Sequence, residues 1–206
     1  NEHIKDGFKW WKSRLKTALN KFDVVRIDHF RGLDRYYQID AGSKTAINGE
    51  WIDVPSDALF SALKTGAGIN RIVAEDLGII DDGVIALLEK TGYSGMAVLS
   101  FAFNGESDNK YLPENIKENT VCYTGTHDND TLIGLISSMS EWDKNNLING
   151  VKTSLKLTKT RGSVKTDKAL AKSIIRLGAK SKARLFIVPL TDLLLLDGSY
   201  RMNEPG

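Results

Sequence analysis

Three short apolar segments of the sequence each lead into carboxylates close to a glycine, and they constrain the fold more than any other feature. They lie within residues 22–32, 71–78 and 120–131. Short segments rich in β-branched residues predict strands that are covered on both faces. In parallel α/β folds the chemistry sits at the C-terminal ends of the strands. Three strand ends that each deliver a carboxylate therefore indicate an active site on a parallel sheet.

The first segment places an arginine two positions before an aspartate. Side chains two apart on a strand share a face, so Arg26 and Asp28 are expected to point the same way. The arginine can then hold the carboxylate ionised, which is the state that a carboxylate nucleophile needs. An aspartate that caps a turn and pairs with a nearby arginine has the same pattern, and these residues alone leave both interpretations open.

Segments with strand character alternate along the chain with segments of helical periodicity. The predicted strands are 23–28, 71–75, 96–102, 120–124 and 185–188. The predicted helices cover about 5–20, 56–63, 81–92, 132–147, 169–177 and 192–196, and the second of them is expected to end near Gly66 and Gly68. Residues 150–168 are rich in lysine and are predicted to form a solvated loop. Alternation of this kind indicates a parallel sheet in an α/β protein.

Composition narrows the classes of partner and compartment. The net charge is only +2, with basic and acidic residues mixed, so we expect no nucleic-acid partner. No run of about 18 apolar residues occurs and the N-terminus is polar, so we expect no membrane partner. The single cysteine, Cys122, lies in an apolar segment and is expected to be a core residue in a reducing compartment. These observations favour a cytoplasmic protein.

The motifs R-I-D-H-F-R-G (26–32), A-E-D-L-G (74–78) and G-T-H-D-N-D-T (125–131) occur in that order. Together they resemble the amylomaltases, the 4-alpha-glucanotransferases of glycoside hydrolase family 77 in the α-amylase-like clan. The resemblance extends from G-F-K-W-W (7–11) through G-E-W (49–51) to R-M-N-E-P-G (201–206), so it covers essentially the whole chain. It implies a TIM (β/α)8 barrel and an enzyme that acts on α-1,4-glucans.

The resemblance also implies a retaining double displacement, in which a glucan segment moves to the 4-hydroxyl of glucose or another glucan. It places the nucleophile at Asp28, the acid/base at Glu75 and a third, transition-state-stabilising carboxylate at Asp128. Arg26 would orient the nucleophile, and His127 would donate to a sugar hydroxyl. In such enzymes the two reacting carboxyl groups lie about 5–5.5 Å apart. The implied partners are α-1,4-glucans, maltooligosaccharides and glucose, with no cofactor and no metal.

Residues 29–70 form a connection that is longer than an ordinary βα loop. Tyr36, Tyr37 and Trp51 lie within it, among glycines and a proline. Long loops above strand ends often carry binding residues, and aromatic faces pack against the C–H faces of sugar rings. The segment therefore has two interpretations, a substrate-binding loop in which Trp51 contacts sugar or a packed cover loop.

About five strands are visible, whereas a complete barrel has eight strands in about 250 residues. We therefore expect residues 1–206 to be the C-terminal part of the catalytic barrel of a longer enzyme. Strands 23–28 and 185–188 would then be open edges, and unpaired edges are templates for association. Alone, this stretch is expected to self-associate and to be inactive or nearly so.

Two other functions remain possible from the residues. Carboxylates and imidazoles at strand ends could ligate a divalent cation in a metal-dependent barrel hydrolase or lyase, with the candidate ligands Asp28, His29, Glu75, His127 and Asp128. Arg26 beside Asp28 would compete with that cation. The chain could also bind glucan without turning it over. Loss of activity in EDTA would favour the metal enzyme, and binding of maltotriose without turnover would favour the non-catalytic protein.

Overall fold

The computed structural model describes residues 2–64, 71–78 and 80–203. It divides into two compact units, Asn1–Met96 and Ala97–Gly206. Each unit has its own cluster of buried apolar side chains. The helix end that the sequence predicts near Gly66 and Gly68 lies outside the described residues.

The first unit combines parallel strands, a hairpin and helices. Its helices are α1 (Glu2–Lys5), α2 (Lys9–Lys21), α3 (Ser56–Leu63) and α4 (Asp82–Thr91), and its strands are β1 (Val25–Ile27), β2 (Arg35–Ile39), β3 (Gly49–Asp53) and β4 (Ile72–Ala74). β1 and β4 pair in parallel, with Ile27 opposite Ala74. Val73 also forms a parallel bridge to Ser94. These two strands are parallel, as the alternation of strands and helices predicts.

Three aromatic rings form the centre of the first unit's core. The ring centroids of Phe30, Phe60 and Tyr93 lie 5.8–6.2 Å from one another. Phe30 lies two residues after Asp28, in the loop that leaves β1. Its ring packs in the core and so fixes this loop. Aromatic pairs at this separation add to the stabilisation that comes from burial. The loop that leaves β1 is thus anchored in the core.

The ends of helices α2 and α4 can be compared with those predicted from the sequence. The predicted helix over 5–20 begins only at Lys9, because Gly7 and Phe8 have positive φ angles of 64° and 58° that interrupt it. Helix α4, predicted over 81–92, is capped at both ends. The Asp81 side chain accepts a hydrogen bond from the Val84 N–H at 3.3 Å, and Gly92 ends the helix with a φ of 68°.

The predicted aromatic connection contains an antiparallel hairpin that the sequence analysis did not anticipate. Strands β2 and β3 pair so that Tyr37 lies opposite Trp51. The turn spans residues 40–48, much longer than the two-residue Asn-Gly type of turn that marks hairpins in sequence. Apolar and polar residues are mixed in both strands, and most of their side chains are exposed. The hairpin therefore shows neither of the signals by which strands are usually predicted.

The second unit contains a parallel sheet flanked by helices. Its strands are β5 (Gly95–Val98, which starts two residues before the unit boundary), β6 (Thr120–Tyr123) and β7 (Leu185–Ile187), and its helices are α5 (Leu132–Ser138), α6 (Glu141–Leu157), α7 (Asp167–Lys180) and α8 (Leu190–Leu193). The strand order is β5-β6-β7, and Cys122 of β6 lies opposite Phe186 of β7. Cys122 is fully buried, as predicted. Burial raises the pKa of its thiol to about 12.

Three predictions in the second unit are wrong in part. The strand predicted over 96–102 ends at Val98, and a 3-10 turn follows. The helix predicted over 132–147 is two helices, because the Ser140 hydroxyl accepts the Asp143 N–H and starts α6. The loop predicted over 150–168 is helical as far as Leu157. The buried face of this part of α6 includes Val151 and Ser154. Lysines lie between and around these residues, so the helical spacing was not recognised in the sequence.

The outermost described strands are less covered than the sequence predicted. Phe22 and Val24, which lead into β1, are 63% and 47% exposed, so burial of this strand on both faces is wrong. Within the described residues β4 is the only strand that pairs with β1. At the other sheet, Leu185 and Ile187 of the outer strand β7 are 48% and 39% exposed. None of the helices in the described ranges is both long and apolar enough to cross a membrane.

Candidate functional site

Asp28 and Glu75 stand side by side, each at the end of one of two paired strands. They directly follow Ile27 and Ala74, which are partners in the parallel register. The pairing continues past these residues, because Glu75 N donates to Ile27 O at 2.9 Å and Phe30 N donates to Glu75 O at 3.1 Å. Neighbouring strands lie about 4.8 Å apart. The first unit thus brings two of the predicted site carboxylates to the same edge of its sheet.

Arg26 and Asp28 form the ion pair that their spacing predicted. Arg26 Nη2 lies 2.6 Å from Asp28 Oδ1. The Asp28 side chain is 75% exposed, so the pair contributes little to stability. Its consequence is orientation, because the guanidinium fixes one carboxylate oxygen and leaves the other directed to solvent or ligand. Arg26 also takes the place beside Asp28 that a metal cation would need.

Both oxygens of the Glu75 carboxylate are held by the backbone. Oε2 accepts the His29 N–H at 2.8 Å, and Oε1 accepts the Leu77 N–H at 2.9 Å. His29 has a left-handed φ of 48°, which is uncommon for a residue other than glycine. A Cβ at Gly32 would lie 2.9 Å from the His29 ring, so a larger residue there would displace that ring. The turn after Asp28 is therefore shaped by side-chain packing and supplies one donor to Glu75.

The neighbouring carboxylate of the A-E-D-L-G motif has a different environment. Asp76 is buried, and its Oδ1 accepts the Met96 N–H at 2.7 Å. A Cβ at Gly95 would lie 3.0 Å from the Asp76 carboxylate, so the chain passes close to it. Asp76 is thus a structural carboxylate. Of the two acidic residues in the motif, Glu75 is the one that remains accessible at the strand end.

Trp51 lies on the hairpin and presents an aromatic surface that is 49% exposed. The Tyr37 ring packs edge-on against it, with centroids 5.3 Å apart. The Arg31 guanidinium lies 4.5 Å from the Trp51 ring centroid and also bonds the Asp81 carboxylate at 3.0 Å. Trp51 is therefore fixed by two neighbours from the strand-end motif and the hairpin. Contact with sugar by Trp51, one of the two interpretations of this connection, stays a prediction.

Asp81 ties the hairpin base to the start of α4. Arg35 Nη2 lies 3.3 Å from its Oδ2, in addition to the bond from Arg31. Burial acts to raise the pKa of Asp81, but the Val84 N–H and the two guanidiniums outweigh it and lower that pKa. The carboxylate therefore stays ionised and holds Arg31 in place beside the Trp51 ring.

His127 and Asp128 lie at the exposed tip of the second unit's motif loop. His127 Nε2 is 3.3 Å from Asp128 Oδ1, and the two side chains are 63% and 60% exposed. The loop is braced beneath them by its own polar residues. Asn129 Oδ1 accepts both the Thr126 N–H at 2.8 Å and the Thr126 hydroxyl at 2.9 Å. The brace explains why threonine and asparagine flank the two predicted site residues.

Asp192 is a site-related residue that the sequence analysis missed. It is only 2% exposed, and its two oxygens accept the Thr124 hydroxyl at 2.6 Å and the Leu132 N–H at 2.7 Å. Burial is the main cause that raises the pKa of this carboxyl, and the nearby Asp130 adds to it. The available signal was a single carboxylate in an otherwise apolar segment, L-T-D-L-L-L-L (190–196). A charged residue in such a segment is buried only when it is bonded.

No group of three or more His, Cys, Asp or Glu side chains arranged to hold a metal ion occurs among residues 2–64, 71–78 and 80–203.

Sequence and structure comparisons agree on one family. A family profile described as 4-alpha-glucanotransferase (Glyco_hydro_77) matches residues 1–206. The chain is 45% identical over 202 residues to a 4-alpha-glucanotransferase of Synechocystis sp., and 41% identical over 202 residues to one of Streptococcus pneumoniae. These alignments cover 97% and 98% of the chain but 38% of each relative, so the chain spans well under half the length of the proteins it matches.

A solved structure with a similar fold is the amylomaltase from Streptococcus agalactiae in complex with acarbose. It superposes with a TM-score of 0.85 at 30% sequence identity, over 98% of this chain and 39% of that one. The amylomaltase from Corynebacterium glutamicum superposes with a TM-score of 0.72 at 19% identity, over 95% of this chain and 32% of that one, which supports the fold alone.

Proposed function

Because the chain belongs to the 4-alpha-glucanotransferase family, glycoside hydrolase family 77, we propose that it carries the catalytic residues of a glucan-transferring enzyme. The enzyme moves a segment of an α-1,4-glucan to the 4-hydroxyl of glucose or a maltooligosaccharide. The solved amylomaltase of S. agalactiae holds acarbose, which supports an oligosaccharide as the ligand class. As the family resemblance implies, the strands described here belong to a (β/α)8 barrel of a longer enzyme. The single, buried cysteine supports a reducing compartment such as the cytoplasm.

The observation that carries this proposal is the pairing of Asp28 with Glu75 at one sheet edge. A retaining enzyme needs two carboxyl groups about 5–5.5 Å apart, and residues that follow paired strands side by side start from backbones about 4.8 Å apart, which supports the assignment. Asp28 attacks the anomeric carbon and forms a glycosyl ester, while the departing 4-oxygen takes a proton from Glu75. Glu75 then removes the proton of the acceptor 4-hydroxyl, which attacks the same carbon and frees Asp28.

The remaining residues have roles that follow the family resemblance. Arg26 holds one oxygen of the Asp28 carboxylate through its ion pair and orients that carboxylate for attack. Asp128 holds sugar hydroxyls and stabilises the oxocarbenium-like transition state, and His127 donates to a neighbouring hydroxyl. Trp51 provides an apolar face for a sugar ring, fixed in place by Arg31 and Tyr37. No step requires a cofactor or a metal ion.

The proposal is tested by trapping the covalent intermediate in the full-length protein. A glycosyl fluoride donor and rapid acid quenching, followed by peptide mass spectrometry, should locate the glycosyl group on Asp28. Asp28→Ala should abolish the adduct and maltotriose disproportionation. Asp23→Ala is the matched control, because its side chain is exposed just before β1 and its carbonyl oxygen makes the described contact with Arg71. An adduct on another residue would refute the assignment.

A further inference from the structure

The loop that carries His127 and Asp128 is tied at both ends to one buried side chain. Thr124 directly follows β6, and Leu132 is the first residue of α5. The Thr124 hydroxyl donates to Asp192 Oδ2 at 2.6 Å, and the Leu132 N–H donates to Asp192 Oδ1 at 2.7 Å. Each oxygen serves a different end of the loop. A single carboxylate therefore sets the separation between the end of the strand and the start of the helix.

The burial of this contact makes the geometry specific. Thr124, Leu132 and Asp192 are each at most 2% exposed. Buried polar groups that lose their partners are costly, because water cannot replace the lost hydrogen bonds. Burial raises the pKa of Asp192, the hydrogen bonds from Thr124 and Leu132 lower it, and the nearby Asp130 raises it further. The carboxylate is buried although burial disfavours its charge, so its two hydrogen bonds offset part of that cost.

The loop between the two ends has little freedom of its own. Thr126 and Asn129 are joined by three hydrogen bonds, which include Asn129 N to Thr126 O at 3.2 Å. The Asp128 N–H donates to the Thr126 hydroxyl at 3.3 Å. A braced tip on two fixed ends moves as one piece, so a shift of either end is transmitted to Asp128.

We propose that Asp192 is a positioning residue for Asp128, acting by clamping both ends of the loop that presents Asp128 to the glucan. The inference rests on the proposed function, since it assigns Asp128 to the transition state. Asp192 does not touch the substrate in this scheme. Loss of the clamp removes stabilisation that is made only in the transition state, so kcat and kcat/KM fall together.

The test uses four variants of the full-length protein with maltotriose as substrate, and rates are expressed per folded protein. Asp192→Ala loses both bonds, and misplacement of a transition-state group by about 1 Å costs about 100-fold in rate. Asp192→Asn keeps both contacts, because its amide oxygen accepts from Leu132 N–H and its NH2 donates to Thr124. It should therefore recover most of kcat. Thr124→Val loses one contact and should give an intermediate rate.

Ser173→Ala is the matched control for loss of a buried polar contact. Ser173 is fully buried in the same unit. Its hydroxyl forms hydrogen bonds of 2.8–2.9 Å with the backbone of Ser163, and it makes none with the motif loop. It should lower the midpoint of thermal unfolding while leaving kcat unchanged. An Asp192→Ala enzyme with the kcat of the wild type, or an Asn variant as impaired as the Ala variant, would overturn the clamp.

Hydrogen exchange separates failure of the clamp from failure of the proposed function. If the wild type does not disproportionate maltotriose, the proposed function fails, but the amide of Leu132 can still be followed. Its protection should be lost in Asp192→Ala and retained in Ser173→Ala. Full protection of this amide in Asp192→Ala would overturn the clamp whatever the activity.

Discussion

At the residue scale, the two backbone bonds to Glu75 determine what can replace it. Each carboxylate oxygen accepts one N–H, from His29 and from Leu77. A glutamine has one oxygen and one NH2 group, so one of these N–H groups would face another donor. Substitution here therefore removes the proton that the leaving group needs and also loosens the side chain. The two effects can be separated by the choice of leaving group.

Glu75→Gln should remain able to form the glycosyl ester slowly with glycosyl fluorides, because fluoride leaves without a proton. With maltotriose, whose leaving group needs a proton, the rate should fall by a further factor of about 10²–10⁴. The measurement is the ratio of the two rates in the full-length protein. Asp76→Asn is the comparison, since Asp76 is buried and bonds the Met96 N–H. Equal losses for both donors in Glu75→Gln would show that Glu75 is not the acid.

Asp192 should also make stability depend on pH. Burial raises the pKa of its carboxyl in the folded state above the ordinary value, about 3.9, that it has when unfolded. The folded state then binds more protons, so this stabilising contribution is full below the unfolded pKa and is lost as pH rises through the folded pKa. Asparagine does not titrate. As pH rises from 4, the unfolding midpoint of the wild type should therefore fall relative to that of Asp192→Asn.

Thermal unfolding of both proteins between pH 4 and pH 8 checks this sign. Asp197→Asn is the control, because hydrogen bonds from Ser199 lower the pKa of Asp197, so its contribution to stability is lost only as pH falls below the unfolded value of about 3.9. Its difference in unfolding midpoint from the wild type should therefore change little as pH rises through this range. If the difference in unfolding midpoint between Asp192→Asn and the wild type stayed constant across this range, the carboxyl would have the same pKa in the folded and unfolded states.

At the element scale, the sequence predicts those parts that are settled by neighbours in the chain. Four of the five predicted strands lie within a residue or two of their observed ends, because short β-branched runs are strong local signals. The start of α4 near Asp81 and Asp82 is also a local signal, because aspartate is favoured at the N-cap of a helix. The buried face of α6 was not predicted, because lysines surround Val151 and Ser154.

The candidate site also has a part that local sequence predicts and a part that it does not. Arg26 beside Asp28 follows from strand geometry, whereas Asp192 depends on contacts 60 and 68 residues away.

The boundary between α5 and α6 offers a direct test of a cap that the sequence analysis overlooked. The Ser140 hydroxyl accepts the Asp143 N–H at 3.1 Å at the start of a helix of 17 residues. Ser140→Ala should lower the free energy of unfolding by about 1 kcal/mol, and Ser140→Asp should restore it. Ser138→Ala, an exposed residue two positions earlier, should change it by less than about 0.5 kcal/mol. Denaturant titration of the three variants measures these values, and equal effects at both sites would contradict the cap.

At the scale of the whole molecule, two compact units each carry a core and an incompletely covered strand. Val24 leads into β1 in the first unit, and Leu185 begins β7 in the second. Both side chains are close to half exposed. Apolar residues beside an unpaired strand edge favour pairing with another chain. The family relatives are more than twice as long as this chain, so residues 1–206 lack much of what the longer proteins contain.

Residues 1–206 expressed alone should therefore self-associate or aggregate, and should be inactive or nearly so on maltotriose. Val24→Lys with Leu185→Lys should reduce association, because charge at a strand edge opposes pairing. Ile85→Lys is the control, since Ile85 is similarly exposed but lies on helix α4. Light scattering and a disproportionation assay make the measurement. A monodisperse monomer with turnover close to that of the long form would contradict this prediction.

The distance along the chain between the motif loop and its clamp bears on the order of events during synthesis. Thr124 and Leu132 are made 68 and 60 residues before Asp192. A nascent chain that ends before α8 contains Asp28, Glu75 and Asp128, yet it lacks the carboxylate that accepts a hydrogen bond from each end of the loop around Asp128. Contacts of such long separation form late in folding, because the intervening chain must first be ordered. The last of the three carboxylates is thus set in place only when the final part of this sequence has emerged from the ribosome.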